Sequence, residues 1–317
     1  LACKIDEFSR RTGGYLRKED LEGYWCEWVK PIHIGYRDYE VWEIPPNGDG
    51  IIALMALNIL KNFEFESDGR ESAETCHRQL EAMKLAFADG TRYVADTKSM
   101  TVTAAELLSG SYGRMRSRLI GKTAGTPNAG EPRSGGTIYL CTADREGNMV
   151  SFIQSNFNGF GSGVVVPGTG ISLQNRGCAF TLDGKSENCL GPEKKAFHTI
   201  IPGFLTKGGE AVGPFGVMGA FMQPQGHVQV LMNMIDFKLN PQEALDAPRW
   251  QWIKDKKVQV EPLFPKELAK QLSARGHEVE AVESAVSFGR GEMILKDKNG
   301  VYCGAAEPRA GGHVAAW

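Results

Sequence analysis

The chain changes character at Gly136-Thr137, and that change restricts what it can fold into. Upstream, Ala73, Cys76, Leu80, Met83 and Phe87 fall three or four residues apart and define one buried helix face. Residues 51–63 form a second, mostly apolar helix candidate, entered through the Pro45-Pro46-Asn47-Gly48-Asp49-Gly50 turn, and residues 1–8 read as the middle of a third. Ser67-Asp68-Gly69 offers a break and a cap before the long helix, and residues 39–44 alternate as a strand. Downstream, residues 138–142 and 149–154 flank an Asp144-Arg145-Glu146-Gly147-Asn148 turn, the pattern of an antiparallel hairpin. Helical patterning returns over residues 225–236, at Pro241 behind an Asn240 cap, and over residues 265–275 up to Gly276. Two groups of strands with helices before and between them predict an α+β domain of sheets covered by helices. The change at residue 137 then falls inside one domain rather than between two.

Residues 121–136 (GKTAGTPNAGEPRSGG) are rich in Gly and Pro with little to pack, and predict a mobile connection ending at the hydroxyl of Thr137. These residues alone leave two readings open. Thr137 is an ordinary strand threonine after a flexible loop, threonine being common in strands. Alternatively, Gly136-Thr137 is a processing site. Cutting that bond would leave Thr137 a free α-amine beside its own hydroxyl, and a threonine activated by its own amine is a recognised nucleophile.

Composition narrows the classes. With 42% hydrophobic and 23% charged residues over 317 positions, the chain has ample material for a core and no disorder signature. A formal charge of -2, with basic residues spread along the chain, argues against a nucleic-acid partner. The local run Arg114, Arg116, Arg118 reads as a solvated helix face. No apolar stretch approaches the roughly 18 residues a membrane span needs. Seven widely spaced cysteines without C-x-x-C argue against a disulfide framework and favour a reducing compartment. No cofactor or metal is indicated, because His33, His77, His198, His227, His277 and His313 show no ligand spacing and no phosphate-binding glycine fingerprint is present. His77 reads as structural because no second ligand is near it, and His227 because it opens a packed helix. Arg249, Trp250 and Arg309 read as ion-pair and packing residues. The chain opens on Leu in mid-helix, so it is expected to begin inside a larger gene product.

Several short motifs gain force from their order and spacing: Pro45-Pro46-Asn47-Gly48-Asp49-Gly50, residues 81–89 (EAMKLAFAD), the Thr137 segment, Gln174-Asn175-Arg176-Gly177, Gln223-Pro224-Gln225-Gly226-His227, Asp246-Ala247-Pro248-Arg249-Trp250 and Glu307-Pro308-Arg309. Through them, from about Thr12 to Trp317, the chain resembles the γ-glutamyltranspeptidase family of N-terminal nucleophile hydrolases. The stretch SGGTIYLCTADREGNMVSF is similar to a bacterial transpeptidase-like or acylase-like branch. The resemblance implies a four-layer αββα sandwich and a precursor that cuts itself between Gly136 and Thr137. Residues 1–136, with a processing linker over about 109–136, would be the C-terminal part of a large subunit whose upstream part is absent here. Residues 137–317 would be the small subunit, the two remaining associated as one domain. Thr137 would attack a γ-glutamyl amide with its own α-amine as base, and the acyl-enzyme would pass its acyl group to water or to an amino acid.

Carried over residue by residue, the resemblance implies that Ser155 supplies a second hydroxyl contacting the nucleophile, and that the N–H groups of Gly219 and Ala220 form an oxyanion hole. Ala220 departs from a Gly-Gly pair and lacks glycine's conformational range. Arg176, His198 and Thr199 fall at substrate-binding positions, His198-Thr199 replacing a Ser-Ser pair. The acid that holds a glutamyl α-amine in the family is missing from Arg176-Gly177-Cys178-Ala179. An uncompensated buried ammonium is strongly unfavourable, so this loss counts against γ-glutamyl specificity and leaves the reaction type untouched. An arginine that would bind the glutamyl α-carboxylate would lie upstream of Leu1. The expectation is a self-processing γ-glutamyl amide hydrolase or transferase acting on compounds such as glutathione. The alternatives are a cephalosporin acylase-like amidase for another acyl group, and an unprocessed, catalytically silent scaffold.

Overall fold

The computed structural model describes residues 1–127 and 136–317. The chain opens with two helices, α1 (Ala2–Thr12) and α2 (Lys18–Glu22), and a hairpin of β1 (Ile32–Tyr36) and β2 (Tyr39–Glu43). Next comes α3 (Gly50–Leu60), buried at every position, as a helix apolar on all sides must be. The long α4 (Ala73–Tyr93) is capped by Ser72, whose Oγ accepts the Thr75 N–H at 3.0 Å. The cap is therefore not in Ser67-Asp68-Gly69: Ser72 is the extended residue directly before the first helical turn, where a side chain reaches the free N–H groups. Two short helices follow, α5 (Ala104–Leu107) and α6 (Gly110–Ser117). Arg116 is not on a solvated face as expected; folding α6 onto α4 pairs it with Asp89 at 2.9 Å, while Arg114 and Arg118 stay exposed.

After residue 136 come the hairpin of β3 (Gly136–Ala143) and β4 (Met149–Phe157), a small ribbon of β5 (Val165–Val166) and β6 (Ile171–Ser172), and the strands β7 (Gly203–Lys207) and β8 (Glu210–Met218). Two helices follow, α7 (Met222–Ile235) and α8 (Pro241–Asp246). Pro224 sits in the first turn of α7, where its missing N–H costs no helical bond, and Asn240 caps α8 as expected. A three-stranded sheet of β9 (Trp250–Lys254), β10 (Lys257–Val260) and β11 (Glu278–Ala281) encloses α9 (Lys266–Ala274) in its crossover. The chain closes with β12 (Arg290–Lys296) and β13 (Tyr302–Ala306).

Strands from both sides of residue 137 share one six-stranded antiparallel sheet, in the order β1-β2-β7-β8-β12-β13. Its two faces are read from adjacent residues of β8, because successive strand side chains point opposite ways. Val217 packs toward Gly226 of α7, whereas Gly216 faces the Tyr139 ring, which a Cβ on Gly216 would approach to 2.5 Å. Helices α3, α4 and α7 thus cover one face and build the main core with Val41, Leu205, Phe215 and Val217, while the β3-β4 ribbon covers the other. Ile138, Leu140, Val150 and Phe152 point away from the sheet and are exposed. The described residues therefore form a mixed α+β arrangement of helices, sheet and ribbon, and no fourth layer lies over the ribbon among them.

The mobile connection expected over residues 121–136 divides in two. Residues 128–135 lie outside the described residues. Residues 121–125 are held against α4 and the end of α9, Ala124 being buried with its N–H donated to Arg275 O at 2.7 Å. Small residues here permit close backbone approach rather than freedom. No helix of the described residues is long and apolar enough to cross a membrane.

Candidate active site

Thr137 enters β3 at a register irregularity and stands opposite Ser155 of β4. Directly opposed strand residues bring their side chains together. Thr137 Oγ1 donates to Ser155 Oγ at 3.0 Å, and Ser155 Oγ also accepts the Phe157 N–H at 2.9 Å. Phe157 has a positive φ of 78°, a conformation that costs a bulky residue energy and needs outside support. That support includes the Ser155 bond and the Arg176 guanidinium, 4.4 Å from the centre of its ring.

Arg176 begins a single 3-10 turn, Arg176–Ala179, and is 5% exposed. Its Nη1 donates to Thr199 Oγ1 at 2.7 Å, and its Nη2 has no hydrogen-bond partner. Burial lowers its pKa to about 10, against the pull of Asp49, so it remains charged at neutral pH. Asp49, before the first turn of α3, is fully buried with both carboxylate oxygens unpartnered. Burial first and Glu43 second push its pKa well above the carboxylate range, with Arg176 opposing. A buried guanidinium with an open donor suits a carboxylate or carbonyl oxygen.

The His198 N–H donates to Asn47 O at 2.9 Å and its carbonyl accepts the Asp49 N–H at 2.8 Å, which ties it to the turn before α3. Its Nδ1 accepts the Ile200 N–H at 3.3 Å, so the ring proton sits on Nε2. Burial and then Arg176 lower its pKa to about 4, leaving it neutral. Ser155, Arg176 and His198 line one cavity of about 400 Å³ together with Gln174, Lys195 and Tyr24. Thr199, 1% exposed, lies behind Arg176 rather than on the wall, its carbonyl taking a hydrogen bond from Gln223.

Gly219 and Ala220 connect β8 to α7, with φ of 140° and 50°. At Gly219 a Cβ would also meet Gly289 Cα at 3.1 Å, so glycine is required by space as well as by φ. Ala220 takes the left-handed region, which an alanine can reach at a cost of about 1–2 kcal/mol and which lies within its narrower range. The Gly219 and Ala220 carbonyls accept the Met222 and Gln223 N–H groups and so start α7.

Several structural expectations hold. His227 Nδ1 donates to Glu43 Oε1 at 2.8 Å and its Nε2 accepts the Val217 N–H at 3.1 Å, pinning α7 to the sheet. Arg249 donates to Glu307 at 2.9 Å and to the carbonyls of Leu245, Phe288 and Gly289, and Arg309 pairs with Glu261 and Glu307. The reason given for His77 does not hold. His277, 200 residues away in sequence, lies 2.8 Å from it, and His77, Glu81 and His277 bring potential ligand atoms within 4.8 Å of one another. Asp49 and Gln174 lay unread inside two of the motifs, and Lys195 carried no sequence signal at all.

The described residues thus combine a mixed α+β fold with a hydroxyl pair at the head of a strand, one member of which lines a cavity that Arg176 also lines. The chain belongs to the gamma-glutamyltranspeptidase family, whose model matches residues 1–317. It is 35% identical over 318 residues to the glutathione hydrolase-like YwrD proenzyme of Bacillus subtilis, covering 98% of this chain and 60% of that protein. It is 30% identical to the oxamate amidohydrolase proenzyme of Klebsiella pneumoniae, covering 100% of this chain and 61% of that one. Among solved structures it is similar to the cephalosporin acylase from Bacillus halodurans, with a TM-score of 0.96, 58% identity, and coverage of 100% of this chain and 58% of the other. The chain thus spans about 60% of the length of the curated relatives it matches.

Proposed function

We propose that the protein is a self-processing amidohydrolase whose nucleophile is Thr137 and whose acyl substrate carries an anionic end but no α-ammonium group. The observation that carries this reading is the cavity beside Ser155. Arg176 brings positive charge to it, Lys195 being paired with Glu27, and no Asp or Glu is among its described lining residues. An α-ammonium there would face the Arg176 guanidinium with no acid among the described lining residues to hold it, whereas a carboxylate would be drawn to Arg176, whose Nη2 is buried without a partner. Two of the named relatives support an acyl group other than γ-glutamyl: an oxamate amidohydrolase proenzyme, oxamate being an amide with a carboxylate and no amine, and a cephalosporin acylase.

In this reading the Thr137 hydroxyl first attacks the Gly136 carbonyl, and water resolves the resulting ester, leaving residues up to 136 and residues from 137 as two associated pieces of one domain. In turnover the Thr137 α-amine takes the Oγ proton as Oγ attacks the amide carbon. Ser155 orients Oγ, and the Gly219 and Ala220 N–H groups receive the oxyanion. The amine leaves with the proton, and water releases the acid. Thr199 holds Arg176 in place, and the exposed ribbon face formed by Ile138, Leu140, Val150 and Phe152 is the side on which an αββα sandwich would add its remaining layer.

The test is intact mass and N-terminal sequencing of the full-length gene product, followed by kcat/KM on paired glutaryl and γ-glutamyl anilides. We expect a fragment beginning at Thr137, absent from Thr137→Ala, and at least a tenfold preference for the glutaryl compound. An uncut chain would instead establish a silent scaffold. A preference for the γ-glutamyl compound would establish the glutathione hydrolase reading, which the 35% identity to the YwrD proenzyme favours.

A further inference from the structure

Lys84, Glu81, His277 and His77 form a cluster separate from the cavity, each at most 5% exposed. Lys84 Nζ donates to Glu81 Oε1 at 2.7 Å and to Gly125 O at 3.1 Å, and lies 3.5 Å from His277 Nδ1. His277 Nε2 is 2.8 Å from His77 Nδ1, and His77 Nε2 is 3.0 Å from Gly121 O. A carbonyl can only accept, so His77 carries its proton on Nε2, its Nδ1 accepts from His277 Nε2–H, and His277 Nδ1 is left to accept from Lys84. Donors therefore run in one direction, from the Lys84 ammonium to the Gly121 carbonyl. The ammonium also supplies the cation at the point where three potential metal ligands converge.

The backbone of residues 121–125 completes the arrangement. Gly125 N–H donates to Glu81 Oε2 at 3.0 Å, Ala124 N–H donates to Arg275 O at 2.7 Å, and Ala124 packs against Gly276. With the bonds to the Gly121 and Gly125 carbonyls, the segment is gripped on both edges, twelve residues before Thr137. Its other end is fixed where β3 begins.

We propose that this cluster anchors the processing segment: by fixing residues 121–125 it positions the Gly136-Thr137 bond for attack by Thr137, and it releases the segment when its histidines take up protons. The proposal rests on Thr137 being the self-cleaving nucleophile. Holding both ends of a short connection removes most of the conformations in which the scissile bond is badly placed. Both histidines must be neutral for the donor chain to run. His277 faces Lys84, His77, Arg275 and Lys256, while His77 faces Glu81, Glu74 and Arg275. A proton on His277 Nδ1 would set a second cation against Lys84. Burial is the first cause that lowers both rings, His277 to about 3, whereas a released histidine titrates near 6.5. The anchor is therefore complete above about 6.5 and progressively weaker below it.

The experiment uses the full-length gene product and its Thr137→Ala form. Hydrogen exchange at the Ala124 and Gly125 amides is followed in Thr137→Ala, and cleavage is followed by intact mass in the chain with Thr137. We expect His277→Leu and, separately, Lys84→Met to speed exchange at both amides tenfold or more and to slow cleavage tenfold or more. Lowering the pH from 7.5 to 5.5 should lower the protection of both amides, each rate being taken relative to the intrinsic base-catalysed rate at that pH, and slow cleavage without any substitution, and His277→Leu should blunt that dependence. Lower protection with unchanged cleavage overturns the positioning role, and protection that responds to neither pH nor substitution overturns the anchor. If the unsubstituted chain does not cut itself, the nucleophile reading fails, an outcome distinct from a chain that cuts equally fast with and without the anchor.

Discussion

Arg176 joins more of the candidate site than any other side chain, touching Thr199, Phe157 and the cavity at once. Arg176→Met keeps length and burial but removes the charge. It is expected to lower kcat/KM for a carboxylate-ended acyl amide about 10–100-fold, the roughly 1.5–3 kcal/mol of a charge-assisted hydrogen bond. An isosteric substrate ending in a methyl group should change about twofold or less, and equal losses on the two would show that the arginine only supports Phe157. The pH profile is a second test at this scale. In the proposed reaction a Thr137 α-amine freed by cleavage must be unprotonated to accept the Oγ proton, so kcat/KM should rise with pH through the ordinary α-amine range of about 7.7–8.0. His198, neutral above about 4, adds no limb there. A limb near 6.5 would point to a histidine base instead.

Among the elements, the contact between the β3-β4 ribbon and the sheet carries the site, and it depends on one missing side chain. Gly216→Ala would drive a Cβ to 2.5 Å from the Tyr139 ring, which is held by its own bond to Ser151 at 2.9 Å. Overpacking of this kind costs about 1–3 kcal/mol. Urea unfolding should show that loss, and the hydroxyl of Thr137 should move with the ribbon, slowing any self-cleavage. Gly35→Ala in β1, with nothing within 4 Å of the added Cβ, is the control expected to stay within about 0.5 kcal/mol. If both behave alike, the close approach of ribbon and sheet is wrong. At the start of α4, Ser72→Ala should cost about 1 kcal/mol through loss of the Thr75 bond.

For the whole molecule, the buried histidines couple stability to pH. His77 and His277 bind protons less readily folded than unfolded, so the unfolded chain holds more protons below about 6.5 and stability falls with pH there. From pH 7.5 to 5, His277 alone should cost on the order of 2 kcal/mol, read as a lower urea midpoint, and His277→Leu should flatten the curve. A midpoint independent of pH in that window would mean that these rings are already protonated or solvated. What the sequence by itself determined is what local periodicity and end chemistry encode: the apolar α3, the one-sided α4, the β3-β4 hairpin with Thr137 at its head, and the Asn240 cap. Each of these depends on residues a few positions apart. The structural reading of His227, Arg249 and Arg309 also survived, because a polar side chain that packing buries must find a partner wherever the chain supplies one. Tertiary structure alone decided who those partners are. It set Arg176 against Thr199 and Asp49, brought His77 to His277 across 200 residues, and turned residues 121–125 from an expected mobile connection into a gripped segment. No spacing or composition marks such pairs, since they meet only when distant elements pack and buried donors take whatever acceptors that packing leaves within reach.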